Sequence, residues 1–158
     1  MRRVLLLAVA TAVILPFHAR AQVKPDFSGT WTLDASKSDQ PMGRGGRGGG
    51  GASTGPITIT QNASTLTQKR GELTLVYKLD GSASTNQMPG PGGPQEVKST
   101  AKWDGSKLVI ETIRDFQGMS ITQKETRSLS ADGKEMTIEQ SIATPQGERT
   151  TKQVFTKS

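Results

Sequence analysis

The chain has 158 residues, a formal charge of +6, no cysteine and a single histidine, His18. Its 18 Gly, 8 Pro and 32% hydrophobic residues fit one modest domain. Disulfides and the usual Cys/His zinc sites are excluded, and Ser-His-Asp or Cys-His catalysis goes too once His18 is assigned to a removable leader.

That leader comes first in the chain. Arg2 and Arg3 precede a mostly apolar run from Val4 to Phe17, and Ala19-Arg20-Ala21 supplies the small-x-small pattern read by signal peptidase. Pro16 interrupts the run, which falls short of the ~20 apolar residues needed to span a bilayer. A signal peptide over residues 1–21 is therefore predicted, with cleavage near Ala21 and a periplasmic or secreted product. No Cys follows the apolar run, so a bacterial-type lipid anchor is excluded and no stable membrane anchor is expected. Loss of Arg2, Arg3 and Arg20 lowers the basic count from 20 to 17 against 14 acidic residues. Two of the surplus charges, Arg44 and Arg47, share one loop, so the basic face of a nucleic-acid binder is missing and no nucleic-acid partner is expected.

After residue 22 no stretch keeps apolar residues at helical spacing for three turns, whereas alternation with period two recurs. About nine or ten strands are predicted: near 29 to 34, 56 to 61, 64 to 69, 72 to 79, 82 to 87, 95 to 103, 107 to 115, 119 to 129, 134 to 143 and 148 to 156. Leu73, Leu75, Tyr77 and Leu79 share one parity, as do Val97, Ser99, Ala101 and Trp103. Eighteen Thr after residue 22 support the assignment, because β-branched side chains suit a pleated, half-exposed surface. Asp80-Gly81, Asp104-Gly105, Gln117-Gly118, Asp132-Gly133 and Gln146-Gly147 fall between the runs and supply hairpin turns. The fold class is all-β, an antiparallel up-and-down meander over 22–158; an up-and-down barrel is favoured over the alternative of an open sheet, since closure removes exposed edges.

Two segments interrupt the strands. Residues 43–51 contain seven glycines, and residues 89–94 read Pro-Gly-Pro-Gly-Gly-Pro; both are predicted loops because glycine loses the most backbone entropy on ordering. The first belongs to a Gly/Arg-rich loop near 39–55, predicted to be disordered. Gly43-x-Gly45-x-x-Gly48 matches a dinucleotide fingerprint by letters only, since neither strand nor helix flanks it. Asn62-Ala63-Ser64 is a glycosylation sequon short enough to arise by chance.

The first predicted strand opens Asp26-Phe27-Ser28-Gly29-Thr30-Trp31. Phe-x-Gly-x-Trp here resembles the opening of the calycins, the lipocalins and fatty-acid-binding proteins. It is also similar to a set of small exported bacterial proteins that carry later Trp-Asp-Gly and Ser-x-Asp-Gly-Lys turns, matched by Trp103-Asp104-Gly105 and Ser130-Ala131-Asp132-Gly133-Lys134. The resemblance implies a lipocalin-like or fatty-acid-binding-protein-like barrel of about 8–10 strands, with Phe27, Gly29 and Trp31 as its structural motif. Gly29 would let the chain bend into the barrel floor and Trp31 would plug it, with the indole N–H seeking a carbonyl. Fatty-acid-binding proteins hold the ligand carboxylate by Arg-x-Tyr on the last strand and place a helical lid after the first. Gln153-Val154-Phe155 carries neither residue, and the lid position is occupied by the glycine tract, so neither feature carries over.

On the strand from Met119 to Leu129, Thr122, Lys124, Thr126 and Ser128 form a face suited to water. The opposite parity must point inward and carries Gln123, Glu125 and Arg127; Thr112 with Arg114, Gln140, and Thr151 with Gln153 follow the same logic. Charges in a dry core need partners, so these residues either pair among themselves or line a wet lumen. The candidate ligand contacts are Tyr77, Arg114, Gln123, Arg127 and Gln140. The sequence reads as an exported, monomeric, non-catalytic barrel that binds a small apolar or amphipathic molecule inside, with no cofactor and no metal. The alternative is a structural or interaction module of the cell envelope with a solid barrel.

Overall fold

The computed structural model describes residues 23–39, 55–90, 92–116, 119–144 and 147–158. The predicted leader and all but the ends of the predicted 39–55 loop lie outside them. Ten strands are present: β1 (Gly29–Leu33), β2 (Ile57–Gln61), β3 (Thr65–Arg70), β4 (Leu73–Lys78), β5 (Ala83–Gly90), β6 (Gly93–Asp104), β7 (Lys107–Phe116), β8 (Met119–Leu129), β9 (Glu135–Thr144) and β10 (Gly147–Lys157). All pairings are antiparallel, and the hydrogen-bonded order is β4-β3-β2-β1-β10-β9-β8-β7-β6-β5. The predicted all-β meander is what the chain forms, with boundaries displaced by a residue or two at most elements and further only around 88–94.

That exception has a physical reason. The 89–94 loop is instead the end of a hairpin in which Pro89 faces Pro94 and Gly90 faces Gly93. Proline is excluded from a strand only where its missing N–H would serve a ladder. The β6–β7 ladder begins at Lys98, beyond Pro94, and β5 is the last strand in the order, so neither proline deprives a neighbour. Gly92 and Gly93 take positive φ (91° and 123°), which lets the reversal be this tight.

The alternation read from the sequence becomes an inside and an outside. Leu75, Tyr77 and Leu79, Val97, Ser99 and Ala101, Leu108 and Ile110, and Met136 and Ile138 are all buried. One end of the interior is closed by Phe27, Trp31, Leu66, Leu108, Met136 and Phe155. Trp31 is 0% exposed and donates its indole N–H to the Phe27 carbonyl at 2.8 Å. Gln61 straps the incoming chain beneath this floor: its Oε1 accepts from the Phe27 N–H and its Nε2 donates to the Pro25 carbonyl. Gly29 sits at φ 140°, a conformation that side-chain-bearing residues rarely adopt; a Cβ there would meet only the flexible end of Lys157, 2.5 Å from its Cε.

β4 and β5 end the order without a ladder between them, yet their edges are joined. Asn86 Oδ1 accepts from the Val76 N–H at 2.8 Å, Asn86 Nδ2 donates to the Val76 carbonyl at 3.0 Å, and Ser84 Oγ accepts from the Lys78 N–H at 2.9 Å. An amide side chain carries one donor and one acceptor side by side, so Asn86 reproduces the pairing of a missing strand residue. The barrel is thus nearly closed, laced by side chains along one seam.

Candidate functional site

Above the floor the interior changes character. Arg127 on β8 stands between Leu108 of β7 and Ile138 of β9, and is only 1% exposed. The inward parity of β8 points it into the barrel. Its Nε pairs with Glu125 Oε1, its Nη2 donates to Gln68 Oε1 at 2.6 Å, and its guanidinium carbon lies 5.7 Å from the centre of the Tyr77 ring. Nη1 is buried with no hydrogen-bond partner. Glu125, the one carboxylate among the described inward residues of the strands, stands between Ile110 and Gln140.

Two more guanidinium groups, those of Arg70 and Arg114, lie in the same electrostatic neighbourhood. Arg70 closes β3 opposite Leu73, with its guanidinium carbon 5.7 Å from the centre of the Phe155 ring. Arg114 lies opposite Ile121 on β7. Burial pulls both guanidinium groups down from their ordinary value; for Arg70 the nearby Glu125 opposes that shift and Arg127 reinforces it. Each keeps a buried Nε without a partner. The Tyr77 phenol is pushed up to about 12, chiefly by burial, with Glu125 adding to the effect and Arg127 and Arg114 opposing it.

The sequence-predicted residues thus fall into two groups. Tyr77, Arg114 and Arg127 share one electrostatic neighbourhood. Gln123 and Gln140 also face inward, half-buried, but on other rungs: Gln123 stands opposite Thr112 and Ile142, Gln140 opposite Glu125 and Thr151. Phe27, Gly29 and Trp31 belong to the floor. Sequence reasoning missed Gln68 and Arg70 as site residues, although Leu66, Gln68 and Arg70 share a parity and buried Leu66 marks it as the inner one. Between them Ser99 Oγ and Thr112 Oγ1 pair at 2.9 Å within the barrel, satisfying each other.

Chemically, three guanidinium groups, one carboxylate, one phenol and an amide share the inward side of the strands with the buried Leu75, Ile110 and Ile138. Such an interior offers directed N–H donors amid apolar contact area, the arrangement of a small-molecule site. No group of three or more His, Cys, Asp or Glu that could hold a metal ion occurs among the described residues. A depression of about 230 Å³ lies beside the incoming N-terminal segment, between Lys24, Asp26, Gln61, Asn62, Leu79 and Trp103. Its Gln61 and Asp26 are occupied in holding the N-terminal segment.

No protein-family model and no curated protein matches the sequence. Among solved structures, the chain is similar to zebrafish ileal bile acid-binding protein in complex with cholic acid, with a TM-score of 0.53 and 18% identity over 84% of this chain and 98% of that one. The likeness is one of fold, an all-β, antiparallel, nearly closed barrel.

Proposed function

We propose that this chain is a binding protein that takes a small apolar or amphipathic molecule into its barrel. The observation that carries the reading is Arg127, a 1%-exposed cation inside the wall whose bonding is incomplete. A fully buried ion costs several kcal/mol unless well paired, and hydrophobic residues of similar volume fold at least as well. Arg127 is therefore poorly explained by stability. Similarity in fold to a bile acid-binding barrel in complex with cholic acid supports the same reading. Export belongs to the proposal as well, and rests on residues 1–21 of the sequence; so does a monomeric state.

Native mass spectrometry of the full-length gene product, purified from the cells that make it, tests both parts. The expected result is a polypeptide beginning at Gln22, carrying a small-molecule adduct that is lost on denaturation. Protein free of adduct that also takes up no solvatochromic apolar dye would overturn the binding reading; retention of residues 1–21 would overturn the export.

A further inference from the structure

We infer that the depression between Lys24, Asn62, Leu79 and Trp103 is a second binding site, separate from the barrel interior, for a small aromatic carboxylic acid. The ring of that acid packs against Trp103 and Leu79, and its carboxylate is taken by the Lys24 ammonium and the Asn62 amide.

What the depression lacks is a free acceptor. Gln61 spends both ends of its amide on the Phe27 N–H and the Pro25 carbonyl. Asp26 is turned to Ser28, whose hydroxyl and N–H hold its carboxyl below the ordinary value with help from the charge of Lys157. Asn62 Oδ1 accepts from the N–H groups and the hydroxyls of Ser64 and Thr65. Two backbone donors at that oxygen fix the orientation of the amide, so the end left over is its NH2 group. The indole N–H of Trp103 is buried without a partner. Lys24 Nζ stands 5.7 Å from the centre of the same ring, in no ion pair with a described residue. Three donors from three parts of the chain, one of them cationic, thus line one space. A saccharide brings hydroxyl donors as well as acceptors and meets acceptors that are mostly taken; an amine meets an ammonium. An oxyanion suits all three groups.

The apolar part of the occupant follows from the wall. Leu79 is buried, and Trp103 is half-buried and stacked on the fully buried Phe27, with centroids 6.1 Å apart and planes at 22°. An indole braced in this way offers a flat surface to a second ring. Lys24, Asn62 and Ala63 are exposed, so the depression opens to solvent and fills without any opening of the barrel. A cavity of roughly 150 Å³ takes benzene; at about 230 Å³ this one has room for a single ring and a carboxylate.

The test titrates the purified gene product with phenylacetate, phenylacetamide and benzylamine, read by calorimetry and by nitrogen–proton NMR. The chain has two tryptophans, Trp31 sealed in the floor and Trp103 in the depression, so two indole signals report the two places separately, and Trp103→Phe assigns them. Phenylacetate is expected to move the Trp103 signal and leave that of Trp31 in place. It should bind about tenfold tighter than phenylacetamide, the range of a charge-assisted hydrogen bond, with benzylamine weakest. Lys24→Met and Asn62→Asp should each lower phenylacetate affinity about tenfold, and Lys24→Met should leave phenylacetamide unchanged. Lys24 is exposed, and Asn62→Asp keeps the oxygen that Ser64 and Thr65 use, so both variants should keep the thermal unfolding midpoint of the parent. No binding of phenylacetate at millimolar concentration, or binding that leaves the Trp103 signal unmoved, overturns the inference. So does phenylacetamide binding as tightly as phenylacetate, or an affinity unchanged in both variants. The interior reading stands or falls separately, on the adduct experiment above.

Discussion

Trp31 and Arg127 are both closed off from solvent inside one wall, yet the indole N–H of Trp31 has its carbonyl while Arg127 keeps an arm with no partner. The floor around Trp31 is apolar and strapped from below by Gln61. The layers above mix aliphatic residues with three cations and one carboxylate. The contrast teaches that burial alone does not describe this interior: at the floor it is matched by packing and hydrogen bonds, and higher up it is not. Trp103, at the edge of the floor and lining the depression beside the N-terminal segment, is the one floor residue that departs from this, because its indole N–H is also buried without a partner.

The largest expected effect comes from breaking the floor. Trp31→Ala removes the biggest fully buried side chain and opens a cavity, and should lower unfolding free energy by about 3–5 kcal/mol, read by urea titration. Breaking the upper region in one place should cost nearly as much: Arg127→Met leaves Glu125 largely buried without its cation, a loss of about 3 kcal/mol. The comparison sharpens in the double variant Arg127→Met with Glu125→Gln, which should recover most of that stability, since a neutral apolar replacement of a buried pair is often harmless. A double variant no more stable than the single would mean that the pair contributes as much to the fold as the floor does.

At the seam, Asn86→Ala withdraws two hydrogen bonds from Val76. A loss of about 1–2 kcal/mol is expected, together with faster hydrogen exchange at the Val76 amide than at ladder amides of β3.

Protonation separates the two regions at the smallest scale. Tyr77 is the only tyrosine in the chain, so phenolate absorbance reports it alone. Its raised value means that the neutral phenol favours the folded state: this contribution is intact below the ordinary value of 10 and is lost as pH rises through about 12. Native protein should therefore titrate near 12 and denatured protein near 10. At the acid end, Asp26, Asp34, Asp80 and Asp132 are all held below the ordinary aspartate value of 3.8. The cause is first a hydroxyl donated by Ser28, Ser36, Ser82 and Ser130 respectively, two positions away in the chain. Depressed carboxyls contribute stability that is present above 3.8 and lost as pH falls below it. Unfolding midpoints should be flat from pH 5 to 9 and decline only under stronger acid.

Much of this was legible in the sequence because period-two alternation and Asp-Gly turns are local signals. The β8 parity of Gln123, Glu125 and Arg127 against Thr122, Lys124 and Thr126 transfers directly to inside and outside. The Pro-Gly run at 89–94 misled because the rule against proline in strands concerns neighbours, and neighbours are a matter of topology. Arg70 was passed over because β3 has a single aliphatic residue, Leu66, to set its parity. The seam was invisible for a further reason: Asn86 and Ser84 act on the backbone of another strand, and no local pattern in β5 reveals which strand that is.

Because the last join of the barrel is made by the amide of Asn86 and the hydroxyl of Ser84, its circumference is not locked by a continuous ladder like a hoop riveted along its full length. Two clasps hold it. The girth can then adjust at that line by rotation about side-chain bonds, while the other nine strand-to-strand joins keep their register.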